Sequence, residues 1–157
     1  MPRFRFASLI NAPVERVWAF HESPDALERL LPPDGSVRLL QRRGGLEPGS
    51  AAELELRFGP FRLRWAARHT ECVPLSHFCD VQERGPFRLW GHRHSFEARG
   101  TDRCLLADEV EFSLPLAPLA DWAGAPLVKQ MLRKMFAWRH ARTAGACGAQ
   151  ILEQENG

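Results

Sequence analysis

The residues best able to do chemistry stand in one short run: Trp90, His92, His94 and Phe96, two positions apart. In a β-strand, side chains two apart share a face. Both imidazoles then point one way, with an aromatic ring at each end of the row. Gly91, Arg93, Ser95 and Glu97 point the other way. The same parity aligns Phe78, Asp80 and Gln82 in the preceding run, and Leu106, Asp108, Val110 and Phe112 in the following one. Three adjacent strands would place Asp80, Gln82, His92, His94 and Asp108 on one shared face.

Such a cluster has four uses. Buried carboxylates and imidazoles need partners and can satisfy one another as a structural network. The same groups could orient the polar head of an apolar ligand, since binding cavities combine an apolar lining with a few convergent polar groups. A histidine pressed by an aspartate in apolar surroundings could work as a general base near neutral pH. In that reading His92 or His94 is the base, oriented by Asp80 or Asp108. Finally, His92-x-His94 could supply two metal ligands, with Asp80 or Asp108 as a third. An H-x-H on a strand is a weak motif, so no metal and no cofactor are expected. Ser76, Ser95 and Ser113 lack a G-x-S-x-G context, and neither a P-loop nor a dinucleotide fingerprint occurs. The four cysteines form no C-x-x-C pair and are expected to be free, buried thiols.

The elements that must position these groups can be read from hydropathy. Arg3 to Ile10 alternates, with Phe4, Phe6, Ser8 and Ile10 on one face. Pro13 to His21 repeats at helical spacing. A second short helix carries Leu27, Leu30 and Leu31 and stops at Pro32-Pro33. Ser36 to Gln41, Ala52 to Phe58, Phe61 to Arg68, Ser76 to Glu83, Leu89 to Arg99 and Arg103 to Leu114 read as strands. Pro126 to Thr143 reads as one long helix. Leu127, Val128, Met131, Leu132, Met135, Phe136 and Trp138 form its apolar stripe; Lys129, Arg133, Lys134 and His140 are assigned to the opposite side. Antiparallel strands with segregated helices predict an α+β fold. A sheet of about seven strands would curl around the long helix.

At 157 residues the chain is read as one domain, residues 1–145, with a short tail at 146–157. With 45% hydrophobic and 25% charged residues it can bury a core without staples. No apolar run reaches the ~20 residues of a membrane span, and the first residues alternate without an apolar leader core, so a cytoplasmic protein is expected. The 21 basic and 19 acidic residues are too balanced to argue for nucleic acid. The apolar segment Leu114 to Leu119 could border a cavity mouth or make a homodimer contact.

The order of elements resembles the helix-grip fold of the START-related SRPBCC superfamily, which includes polyketide cyclases/dehydrases and lipid-transfer domains. Ile10-Asn11-Ala12-Pro13-Val14-Glu15-Arg16-Val17-Trp18 is similar to that superfamily's strand-to-helix junction. Phe78-Cys79-Asp80-Val81-Gln82-Glu83-Arg84-Gly85-Pro86-Phe87, followed by Trp90-Gly91-His92-Arg93-His94-Ser95-Phe96, resembles the pattern of a bacterial subgroup. The resemblance implies an apolar cavity between sheet and long helix, and a small hydrophobic ligand such as a lipid, isoprenoid or polyketide. Its expected lining is Phe78, Asp80, Gln82, Trp90, His92, His94, Phe96, Asp108, Val110, Phe112, Met131 and Met135. The alternative is an aromatase/cyclase-type enzyme using a His/Asp pair, because this superfamily hosts binders and enzymes alike.

Overall fold

The computed structural model describes all 157 residues. In chain order the elements are β1 (Arg3–Ile10), α1 (Val14–Glu22), α2 (Ala26–Arg29), β2 (Val37–Arg43), β3 (Ala51–Phe58), β4 (Phe61–Val73), β5 (His77–Arg84), β6 (Leu89–Ala98), β7 (Cys104–Ser113), α3 (Leu119–Ala146) and β8 (Ile151–Asn156). The strands form one sheet in the order β2-β3-β4-β5-β6-β7-β1-β8, and the pairings are antiparallel. The fold is α+β with a helix-grip arrangement. No helix is long and apolar enough to cross a membrane.

Residues 146–157, expected as a tail, instead finish α3 and supply an eighth strand. β8 pairs with β1 and makes β1 an interior strand. Asn11 anchors the start of β8: its Oδ1 accepts from the Gln150 N–H at 2.6 Å, and its own N–H donates to the Gln150 carbonyl at 3.1 Å. The run Leu152-Glu153-Gln154-Glu155 has no clean alternation and is exposed. An edge strand carries such charges to discourage pairing with other chains.

The long helix begins two turns earlier than Pro126, which lies in its interior. Asp121 ties the first turn to the end of β7. Its carboxylate accepts from the Ser113 hydroxyl at 3.0 Å and from the Leu114 N–H. The buried line of the helix is Leu132, Phe136, His140 and Thr143, with Ala144 beside it. Leu127 is 72% exposed, so the expected stripe is rotated. His140, assigned from the sequence to the solvent side, is among the most buried residues at 1% exposure.

Two apolar clusters hold the layers together. One joins Ile10, Val17, Trp18, Phe78, Phe96, Leu106 and Ala144. The other joins Phe4, Phe6, Trp90, Val110, Phe112, Leu132 and Phe136. Along β6, Trp90 belongs to the second and Phe96 to the first. His92 and His94 stand between them, so the sheet carries a polar band where its two apolar cores divide. The four cysteines are free; Cys104 and Cys147 are buried as expected, whereas Cys72 and Cys79 are only partly so.

Candidate functional site

The register brings the polar groups together. Asp80 on β5 lies opposite His92 on β6, and His94 lies opposite Asp108 on β7. His92 Nε2 and His94 Nδ1 both approach Asp108 Oδ1 at 2.8 Å. His140 Nε2, from α3, reaches Asp108 Oδ2 at 2.6 Å. Behind it, His140 Nδ1 lies 2.7 Å from Ser8 Oγ, which accepts from Gln154 Nε2 at 3.1 Å. Asp108 can only accept, so His140 donates Nε2–H to it and Nδ1 takes the Ser8 hydroxyl proton. One buried carboxylate is thus shared by three imidazoles from two elements, and the β1 and β8 strands back it up.

On the other side of the two β6 histidines stands Asp80. His94 Nε2 is 3.3 Å and His92 Nδ1 3.5 Å from Asp80 Oδ2. Burial pushes the carboxyl of Asp108 up, but the charge of His94 and hydrogen bonds from His140, His92 and His94 outweigh it and hold it well below the usual range. Asp80 is lowered for the same reasons, its burial outweighed by His92 and His94. Burial opposes the charged form of His94, yet Asp108 and Asp80 raise it to about 9. His92 goes down, through burial and the charge of its neighbour His94. Two similar rings therefore take different roles: His94 carries the proton between the carboxylates, and His92 offers a lone pair at Nδ1.

A cavity of about 350 Å³ opens beside this cluster, between the β2–β6 portion of the sheet, α2 and α3. Its lining is mostly hydrophobic, including Leu27, Leu30, Leu54, Leu56 and Trp65. Of the residues expected to line it, Phe78, Asp80, Trp90, His92, His94, Met131 and Met135 do so. Five do not. Phe96, Val110 and Phe112 are packed into the two cores, with Trp18 lying edge-on to Phe96 at 5.0 Å. Asp108 sits behind the two histidines and is 3% exposed. Gln82 folds back onto its own hairpin, donating to the Phe87 carbonyl at 2.8 Å and accepting from the Phe87 N–H at 3.3 Å. A side chain at Gly85 would collide with that amide.

Sequence reasoning missed His140, Arg139, His69 and His21. Leu132, Phe136 and His140 recur at i, i+4, i+8, and that spacing was the available signal for His140. Arg139 follows it in the cavity wall, and its Nε is buried without a hydrogen-bond partner. Burial lowers this guanidinium, against the opposing charges of Asp108 and Asp80. His69, cross-strand from Asp80, also lines the cavity, with Nδ1 unpartnered. His21 Nδ1–H donates to the Val17 carbonyl at 2.9 Å, and burial pushes this ring down to about 4. His77 pairs elsewhere, with Glu71 at 2.9 Å. A larger depression, about 630 Å³, lies on the convex face. Its walls include the surface pairs Arg3–Glu111 and Arg5–Glu109, and such pairs contribute little.

A curved antiparallel sheet closed over an apolar cavity by a C-terminal helix, with a charged cluster in one wall, defines the helix-grip class of fold. The family model described as "Polyketide cyclase / dehydrase and lipid transport" matches residues 10–136, and the chain belongs to that family. No curated protein matches the sequence. Among solved structures, norcoclaurine synthase from Thalictrum flavum, in complex with dopamine and hydroxybenzaldehyde, superimposes with a TM-score of 0.73 at 14% identity, covering 92% of this chain and 84% of that one. A START superfamily protein from Mycobacterium smegmatis gives 0.69 at 14% identity, covering 94% and 98%. The Zhui aromatase/cyclase from Streptomyces sp. R1128 gives 0.64 at 16%, covering 93% and 90%. At such identities these likenesses establish the fold.

Proposed function

We propose that this protein binds a small, largely apolar molecule with an oxygen-bearing head, held in the cavity between sheet and α3. The observation that carries this reading is the set Asp80, His92, His94 and Arg139 in a mostly apolar cavity wall, with the Arg139 Nε left without a protein partner. A buried guanidinium wants an acceptor, and a buried carboxylate wants a donor. A phenol, enol or carbonyl supplies one or both. The volume, at the lower end of the roughly 300–1,000 Å³ usual for ligand cavities, suits a compact one- or two-ring body. Polyketide-like phenols and enols meet this description better than a long acyl chain.

A catalytic reading rests on His92. Its Nδ1 lone pair lies on the Asp80 side while Asp108 holds Nε2–H, which is how a general base is kept in one tautomer. An enolisable carbonyl compound is the substrate class that such a base would serve.

Trp65 and Trp90 line the cavity, so their emission reports occupancy. The test is a titration with naphthol against naphthalene. Naphthol is expected to saturate and to bind at least tenfold tighter, because a site built to hydrogen-bond an oxygen discriminates against an analogue lacking it. Equal affinities, or no saturable change with either compound, would overturn the reading.

A further inference from the structure

The inner edges of His92 and His94 converge on a single atom. His92 Nδ1 is 3.5 Å and His94 Nε2 3.3 Å from Asp80 Oδ2, and ligand atoms of all three residues lie within 4.8 Å of one another. The outer nitrogens of both rings face Asp108 Oδ1 at 2.8 Å. His92 gives its Nε2–H to that buried anion, and His94 Nδ1 lies against the same oxygen. His92 Nδ1, His94 Nε2 and a carboxylate oxygen are then left facing each other at the cavity wall. That arrangement calls for a cation between them, either a proton or a metal ion.

Geometry favours the metal. Charge-assisted N–H···O contacts shorten to about 2.7–2.9 Å, and both contacts to Asp80 are longer. Ligands bonded at about 2.0–2.1 Å in a tetrahedron stand roughly 3.3–3.4 Å apart, close to both spacings. The surroundings agree. Metal-bound histidines commonly give their far N–H to a carboxylate, which fixes the ring and raises its basicity. Here one carboxylate does this for both rings, and His140 steadies it at 2.6 Å.

We propose that Asp80, His92 and His94 form a binding site for a divalent transition-metal ion of the zinc or cobalt type. A nitrogen-nitrogen-oxygen set suits such borderline ions better than magnesium or calcium. All three residues line the cavity, so the remaining coordination position opens onto it. Two carboxylates against a divalent ion and the Arg139 guanidinium leave one positive charge, so the preferred fourth ligand is an anionic oxygen: hydroxide, enolate, phenolate or carboxylate. The site needs no apolar ligand to form, so the proposal stands or falls separately from the binding reading above.

The test uses the full chain, stripped with chelator and titrated with Co²⁺ alone. Uptake of one equivalent is expected, with the visible d–d absorption of a four- or five-coordinate ion that Zn²⁺ displaces. Asp80→Asn and His94→Gln should each abolish that signal with the far-ultraviolet circular dichroism unchanged. Asp108→Asn should weaken binding about 10–100-fold, as loss of an outer carboxylate does. Glu71→Gln, which removes the separate His77–Glu71 pair, should leave it intact. Imidazole ¹⁵N spectra of the wild type give a reading that needs no variant: Zn²⁺ must shift His92 Nδ1 and His94 Nε2. No uptake of either ion below millimolar concentration, unshifted ring nitrogens, or wild-type binding by both Asp80→Asn and His94→Gln would overturn the proposal.

Discussion

Asp108 and Asp80 look alike on paper, yet the structure assigns them different duties, and stability measurements separate them. Asp108 is 3% exposed and accepts from His92, His94 and His140. Asp108→Asn keeps the shape but removes the charge, and turns part of the acceptor into a donor facing N–H groups. Breaking a buried ion pair in this way costs about 3–5 kcal/mol, because it strands its partners. Whole-domain stability is roughly 5–15 kcal/mol, so the variant should remain folded while its thermal midpoint falls by about 10 °C. Urea melts of Asp108→Asn, His140→Phe and the double variant close a cycle, and the coupling should exceed about 1 kcal/mol because the two side chains share a 2.6 Å bond. Asp80 borders the cavity, and its contacts to the two histidines are 3.3 and 3.5 Å. Asp80→Asn should cost about 1 kcal/mol. An Asp108→Asn cost below 1 kcal/mol, or equal costs at the two positions, would refute the division into a structural half and a cavity half.

Met131 lines the cavity and is 43% exposed. Met131→Trp should block uptake of a fluorescent apolar probe at nearly unchanged stability; a loss of about 1–3 kcal/mol, with no probe bound even by the parent, would mean a packed interior instead. His21, at about 4 in the folded protein against 6.5 for an ordinary imidazole, takes up its proton first in the unfolded chain as pH falls. Its contribution is complete above pH 6.5 and is lost progressively down to about 4, by up to about 3 kcal/mol. Urea midpoints of His21→Asn should therefore vary less across that window than those of the wild type, and parallel curves would refute this. Truncation after Gly148 removes β8, bares the β1 edge and takes away the Gln154 donor to Ser8. Concentration-dependent association on light scattering is expected, and a stable, non-associating truncated chain would contradict the role given to β8.

Strand parity carried the sequence reading far. The period of two in β5, β6 and β7 was enough to put Asp80, His92, His94 and Asp108 on one face. Parity does not give depth along a strand, however. Phe96, Val110 and Phe112 share the face but lie where α1 and α3 pack directly on the sheet, so they are core. It also fails at a hairpin corner, where Gln82 turns back to bond Phe87. The helix was harder to read. Leu127 and Met131 are as apolar as Leu132 and Phe136, and only the sheet decides which line is buried. With the stripe set by hydropathy alone, His140 fell on the wrong side. β8 was illegible because a polar edge strand has no apolar face to announce it; its existence depends on Asn11 and on the free edge of β1.

The concave face is a cavity with one polar end. A crystal soaked with a naphthol brominated at the ring end remote from its hydroxyl tests this directly through the anomalous signal of bromine. The expected peak lies inside the protein, among Leu27, Leu30, Leu54 and Leu56, with the hydroxyl oxygen toward Asp80, His94 and Arg139. A peak confined to the outer surface, or a bromine seated against the His92–His94 pair with the oxygen at the apolar end, would contradict it.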